Sequence, residues 1–361
     1  KMKTYIKFLV NLFLRSFGLV LLIALSLIII LNLLSELDFF KGILVETYFP
    51  IFLSILNSPT LIFEMFPFIF LVSTQLFFIN LFNNNEINIF KYSGLKNSKI
   101  ISIISIVSFL LGLTIITLFY YFSSNLKNFY LELKSSYTKD GKYLAVITKN
   151  GLWIRDKIED KTFIINASKM ENEYLVNSFI TEFNEEYEVI RNIRSEKIDI
   201  KSKEWMIYNA VIFTNNDYIQ LENDKVIKIR TNFDYQKIQS LFSNLSSLSL
   251  FELFKLRENY KILNYSTTEI NIHLLKLLSY PLYMVLMTIF SAIIMLKMKI
   301  YESSTFKISL GLFLSVIIYY INNFSNILGK VEKIPTILSV FIPLIILISI
   351  NLIIARRIND K

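Results

Sequence analysis

Hydrophobic and polar positions are segregated along this chain on the scale of whole helices. Six stretches carry no charged residue: Ser16–Ser35, Met65–Asn85, Ile100–Leu126, Leu277–Leu296, Ile308–Gly329 and Ile334–Ala355. About 20 apolar residues rising 1.5 Å each cover a hydrocarbon core of ~30 Å, so each stretch reads as a transmembrane helix. Between the third and fourth, from Lys142 to Arg230, the period changes to two and β-branched and aromatic residues dominate. This predicts strands at Tyr143–Thr148, Leu152–Arg155, Thr162–Ala167, Leu175–Phe183, Tyr187–Ile193, Lys197–Ile200, Trp205–Phe213, Tyr218–Leu221 and Val226–Ile229. Asn150-Gly151 marks a hairpin between the first two, and Asn215-Asn216-Asp217 and Asn223-Asp224 mark further turns. Short strands at short intervals predict an antiparallel sandwich or open roll with one apolar face. Alternation alone leaves open whether that face is a filled core or a groove for a ligand.

Past Ile229 the pattern becomes helical again. Ser249-Leu-Phe-Glu252 and Ser266-Thr-Thr-Glu269 both have the form of a capping box. The first predicts a short helix ending near Tyr260. The second predicts a helix running through Ile270, Leu274 and Leu277 into the fourth span. The expected fold is therefore an α+β membrane protein: three spans in residues 1–122, an antiparallel β domain in 123–265, and three spans in 266–361. No small-residue cleavage site follows the first apolar stretch, which is expected to be a retained helix.

Charge adds an orientation. The segment Ser123–Ile272 holds 21 basic and 21 acidic residues, so the net +9 comes from the membrane part, with 17 basic against 8 acidic. A neutral middle domain argues against nucleic-acid binding. Thirteen of the 17 basic residues fall on one side: Lys1, Lys3, Lys7, Arg15, Lys91, Lys96, Lys99, Lys297, Lys299, Lys307, Arg356, Arg357 and Lys361. The positive-inside rule then places both termini in the cytoplasm and the middle domain outside.

Composition narrows the chemistry. Hydrophobic residues make up 53% of the 361, with no Cys and one His, and mean hydropathy is +0.49. Disulfides, thiolate nucleophiles, iron–sulfur clusters, Cys-based zinc sites and multi-His metal sites are excluded. No G-x-x-x-x-G-K-[ST] sequence occurs, so this chain has no P-loop, and energy for active transport would enter through a partner. The loop Asn83–Asn97 is the candidate entry point for that energy. Asn84 or Asn85 can cap a short helix at about 84–94, Glu86 suits its positive end, and Ile87, Phe90 and Leu95 give it an apolar side. Gly94 suits a left-handed stop. Such a helix lying along the membrane suits docking of a cytoplasmic protein; an ordinary capped connector is the competing reading. Glu64, beside Pro67, is expected to face protein or water, and His273 is expected to be an interfacial packing residue. Pro281 and Pro343 are expected to kink their spans. Asn322 and Asn323 in the fifth span are expected to face the bundle interior or a polar cavity.

At this point the chain resembles the LptF/LptG-type permeases of the lipopolysaccharide export system over nearly its whole length. The residues that carry the resemblance are Asn85-Glu86 with Tyr92-Ser93-Gly94-Leu95, Glu64-Met-Phe-Pro67 and Asn150-Gly-Leu-Trp-Ile-Arg-Asp156. Leu250-Phe-Glu252-Leu, His273 with Lys276 and Pro281-Leu282, and Ile334-Pro335 with Pro343 follow in the same order. The Trp153 strand opening and the Trp205 strand look more like the G paralogue. The chain departs from the family where span one carries Leu31-Asn32 in place of a basic residue, leaving Lys41 just beyond, and where the loop after span four lacks the usual Pro/Arg-rich character. The resemblance implies a β-jellyroll-like periplasmic domain, a location in the inner membrane of a Gram-negative bacterium, and lipopolysaccharide as substrate. It implies two copies of the ATPase LptB, which would use the ATP and Mg, an LptF-type paralogue, LptC and the LptA bridge as partners. It implies no cofactor held by this chain. It places ATPase coupling at Asn85, Glu86, Ile87, Phe90 and Gly94. A substrate path along spans one and five would include Asn32, Lys41, Tyr319, Asn322, Asn323 and Phe324, and Trp153 and Arg155 would open the β domain. A membrane-anchored scaffold whose β domain binds a periplasmic partner is the alternative. An enzyme is a distant third, because neither paired carboxylates nor a Ser/His arrangement supports it.

Overall fold

Each charge-free stretch falls on a helix, and several of these helices run well beyond it. The computed structural model describes residues 4–135, 137, 152–171, 173–214, 218–220, 226–235, 238, 244–262, 265–297 and 303–355. Thr4–Phe39 is α1, Tyr48–Asn83 is α2 and Glu86–Tyr92 is α3. Asn97–Thr114 (α4) passes through a π-helical turn at Ile115–Phe119 into Tyr120–Ser135 (α5). The third apolar stretch thus continues as helix past Leu126. α2 starts far upstream of Met65, so Glu64 and Pro67 lie within it and not at its beginning; in its first turn Phe49 meets the ring of Phe40, just past the end of α1, at 5.5 Å. After the β domain come Leu250–Ile262 (α6), Thr268–Lys297 (α7), Ser304–Lys330 (α8) and Thr336–Ala355 (α9). Six helices of this set are long and apolar enough to cross a membrane, three before and three after the β domain.

The chain divides into two compact units, Lys1–Lys127 with Thr268–Lys361, and Asn128–Thr267. In the first, α2 packs against α1, α7 and α8, α4 packs against α1 and α7, and α9 packs against α7 and α8. Aromatic pairs fill the α1–α2 seam: Phe17 lies 5.0 Å from Phe70 and Phe13 lies 6.0 Å from Phe77. Between lipid-soluble helices, small residues set how closely backbones approach. A methyl at Gly112 of α4 would sit 2.9 Å from the Cα of Pro281 in α7, and one turn away Ser108 hydrogen-bonds Thr288 at 2.9 Å.

The second unit is an antiparallel, curled sheet. Its strands are Leu152–Ile158 (β1), Lys161–Glu171 (β2), Tyr174–Phe183 (β3), Val189–Asp199 (β4), Glu204–Tyr208 (β5), Val211–Phe213 (β6), Tyr218–Gln220 (β7) and Ile227–Arg230 (β8). The order is β1-β2-β3-β4-β5-β8, with β6 pairing β4 and β7. Two expected strands, Tyr187–Ile193 and Lys197–Ile200, are one continuous β4, because Arg194–Glu196 alternate between buried and exposed in step with their neighbours. The expected strand Trp205–Phe213 is broken at Asn209, whose φ of +50° is left-handed, and both halves pair with β4. The strand expected at Tyr143–Thr148, the Asn150-Gly151 hairpin and the turns at 215–217 and 223–224 lie outside the described residues.

The apolar face of this sheet is a covered core. Ile154, Ile165, Ile180 and Ile193 stand beside one another on neighbouring strands, each at most 2% exposed. Trp205 is fully buried and donates its indole N–H to the Phe233 carbonyl at 2.8 Å. Two carboxylates share this inner face. Asp156 accepts from the Asn232 backbone and side chain at 2.9 and 2.8 Å. Glu182 accepts from Lys161 at 2.8 Å and Arg191 at 2.5 Å. The capping box at Ser249 forms as expected, with the Ser249 N–H 2.8 Å from the Glu252 carboxylate and the Glu252 N–H directed at Ser249 Oγ. α7 opens at Thr268, and the Glu269 carboxylate is engaged by Lys330 of α8.

Burial raises the Glu182 carboxyl, but the hydrogen bonds from Lys161 and Arg191 outweigh it and hold the carboxyl below the ordinary value. A depressed carboxyl contributes stability above its unfolded value and loses it as pH falls through the folded one. Thermal unfolding of the protein should therefore show the β domain weakening in acid below the normal carboxylate range. Glu182→Gln should cost about 1–3 kcal/mol at neutral pH and flatten that acid dependence. An unchanged acid profile in the variant would remove Glu182 from this role.

Candidate functional site

The short helix α3 is held at both ends by its backbone. Asn85 precedes it at φ +56°, a left-handed conformation that asparagine tolerates, and its carbonyl accepts from the Asn88 N–H at 3.2 Å. Its side chain makes no cap hydrogen bond, so the expected side-chain capping is replaced by a backbone turn. Gly94 stops the helix at φ +77°. The Leu95 N–H bonds the Phe90 carbonyl and the Gly94 N–H bonds the Lys91 carbonyl, both at 2.9 Å, the paired closure of a Schellman stop. Ile87 is buried, and Phe90 meets the Phe8 ring of α1 at 6.1 Å. The apolar side of α3 therefore faces the bundle. The opposite side presents Ile89, 60% exposed, and Tyr92, 91% exposed. Glu86 lies between the two sides, with Oε2 buried and without a hydrogen-bond partner among the described residues.

At the far end of α1 and α2, Asn32 is buried in a polar chain. Its Nδ2 donates to the Ser54 carbonyl at 3.0 Å and its Oδ1 accepts from Asn57 at 3.0 Å. Lys127 of α5 donates to Asn57 Oδ1 at 2.6 Å. Asn32 thus ties α1 to α2. Nearby, His273 Nε2 lies 3.1 Å from the Tyr120 hydroxyl, the packing role expected of it. The Tyr280 hydroxyl donates to the Phe63 carbonyl. Lys41 is exposed in the turn after α1.

The fifth-span residues sit on another side of α2. Tyr319 packs its ring 5.6 Å from Phe68, whereas α1 meets α2 at Phe66 and Phe70. Phe68 lies eleven residues along α2 from Asn57, about 16 Å at 1.5 Å per residue. The structure therefore does not gather Asn32 with Tyr319. Asn322 accepts from the buried Asn326 through its carbonyl at 2.6 Å and its side chain at 3.2 Å, Asn323 is half-buried, and Phe324 is exposed. Phe324 shares an uncovered face of α8 with Tyr320 and Phe313, as Ile23, Leu27 and Leu31 do on α1. In β1, Trp153 and Arg155 are on the outer face of the sheet. The Arg155 guanidinium donates to the Tyr187 hydroxyl at 3.1 Å, and its N–H donates to the Tyr265 hydroxyl at 3.1 Å. Burial pushes the Tyr265 hydroxyl up against the lowering effect of that N–H. Among the described residues no group of three His, Asp or Glu side chains gathers as a metal site requires.

Against known families, residues 7–357 match the lipopolysaccharide export system permease LptF/LptG. The chain belongs to this family. None of the curated proteins compared with it matches. As a member of the LptF/LptG family it is a permease-type subunit of a lipopolysaccharide-exporting ABC transporter and a multi-pass protein of the inner membrane. Sequence reasoning missed Ile89 and Tyr92 because it sought the apolar side of α3 and not the side left over. The signal was present in the spacing: residues 89 and 92 fall on the helix face opposite 87 and 90.

The Asn32–Asn57–Lys127 chain generates a stability test. Asn57→Ala removes the amide that both partners share. It should lower the stability of the detergent-solubilised protein by about 1 kcal/mol, read as a drop in Tm, while Lys41→Ala leaves Tm unchanged. Equal Tm values for wild type and Asn57→Ala would mean that the chain does not bind the helices.

Proposed function

We propose that this chain is the G-type permease of the exporter, paired with an F-type paralogue on two copies of the ATPase LptB. It takes lipopolysaccharide from the inner membrane and passes it to LptC and the LptA bridge for delivery to the outer membrane. The observation that carries this reading is the two-sided geometry of α3. One side is locked into the bundle through Ile87 and Phe90. The other offers a large aromatic and an aliphatic residue on rigid backbone, as a docking peg requires. The one-sided basic residues support placing α3 and both termini in the cytoplasm and the β domain in the periplasm. The uncovered apolar faces of α1 and α8 support a lipid path along those helices. The Trp153 and Trp205 strands support the G-type assignment.

In this arrangement α3 receives the movement of the ATPase, and ATP with its Mg stays on the partner. Ile89→Asp or Tyr92→Ala should lower co-purification of the ATPase about tenfold without changing the Tm of the permease. Glu86→Lys should weaken it in the same direction. Phe90→Ala should instead act on stability, because its ring faces α1. If Ile89→Asp combined with Tyr92→Ala leaves ATPase recruitment and lipid export at wild-type levels, α3 is a connector and the scaffold reading takes over.

A further inference from the structure

Near the α3 end of the bundle, α2 inserts a polar side chain against α8. Gln75 of α2 is fully buried, and its Nε2 donates to the Lys307 carbonyl of α8 at 2.9 Å. The amide reaches that carbonyl through the gap left by Gly311; a methyl at Gly311 would overlap it. Lys307 then runs its own buried side chain two turns along α2 and places its ammonium 5.4 Å from the centre of the Phe82 ring. The Phe82 carbonyl in turn accepts the Asn85 N–H at 3.0 Å, in the turn that leads into α3. A continuous set of contacts therefore runs from α3 through Asn85, Phe82, Lys307 and Gln75 into the backbone of α8.

The chemistry of this link is costly for a contact that only packs. Gln75 Oε1 is buried and has no hydrogen-bond partner among the described residues. An unmet amide oxygen inside a helix bundle destabilises it, and leucine would fill nearly the same volume without that cost. On the far side of this link, the α8 face bearing Phe313, Tyr320 and Phe324 is uncovered, so no other described part of this chain packs on that face.

We propose that Gln75, Gly311, Lys307 and Phe82 form a mechanical link that makes α8 follow α3, and that Gln75 and Lys307 are positioning residues for transport. This rests on the reading of α3 as the ATPase docking helix. Lys307 acts through its carbonyl on Gln75 and through its cation on the Phe82 ring, so the link depends on side-chain length and charge.

The test is lipopolysaccharide released per ATP hydrolysed by the complete transporter in proteoliposomes, with Tm and subunit stoichiometry measured on the same samples. Gln75→Leu should assemble, keep or raise its Tm, hydrolyse ATP as wild type does, and export about fivefold less lipid per ATP. Gly311→Ala, which displaces the amide, should show the same split. Lys307→Met should lower the ratio and Lys307→Arg should restore most of it. An unchanged ratio in Gln75→Leu overturns the link, as does loss of ATP hydrolysis and export together, which would make the contact structural. A wild-type complex that hydrolyses ATP but releases no lipid overturns the functional reading itself, and the link with it.

Discussion

In a lipid medium, helices gain nothing from burying leucine against leucine, so a bundle holds together only where backbones approach closely or polar side chains find each other. The arrangement of this protein depends on how α2 meets that constraint. Along its length α2 buries Ser54, Asn57, Ser58, Thr60, Ser73, Thr74 and Gln75. Its amides and hydroxyls reach α1, α5 and α8, and the Phe66, Phe70 and Phe77 rings fill the remaining space against α1. Glycine and serine do the same work elsewhere: Gly112 admits Pro281, Gly329 admits Ser339, and Ser325 donates to the Ser339 carbonyl at 2.8 Å. Because α2 holds the inside, α1 and α8 are left on the outside with one apolar face each uncovered.

The β unit solves a different problem. Its sheet must bury an apolar face in water, and it does so with a row of isoleucines crossing β1 to β4. The two carboxylates that fall on this face are fully engaged, Asp156 by Asn232 and Glu182 by Lys161 and Arg191. A buried carboxylate with its partners in place specifies register, because a one-residue slip would carry it to the other face. The strands also keep Trp153 and Arg155 outward, away from this core.

α3 and the uncovered apolar faces of α1 and α8 are distinct surfaces of this architecture. The site suited to receive movement is α3, seven residues long and fixed by a left-handed asparagine at one end and a left-handed glycine at the other. The uncovered apolar surfaces lie along α1 and α8. A permease of the LptF/LptG family needs both, and something rigid between them. α2 is the element that touches α1, α7 and α8 and leads directly into α3.

What the sequence by itself determined was whatever depends on the order of residues along one segment. The six spans, the β domain between them, the Ser249 capping box, the Gly94 stop and the family motifs are all local patterns of hydrophobicity, charge or turn chemistry. The tertiary structure decided what depends on which segments meet. Nothing local in the sequence shows that Asn57 and Ser54 lie beside Asn32. Ile87 and Phe90 looked like a docking face because an apolar helix side looks the same whether it faces a partner or its own bundle. That Ile89 and Tyr92 stay exposed and that Gln75 meets Lys307 depends on orientation and on a neighbour more than two hundred residues away. Helix ends moved for a related reason, since charge marks where a helix leaves the lipid and not where its hydrogen bonding stops.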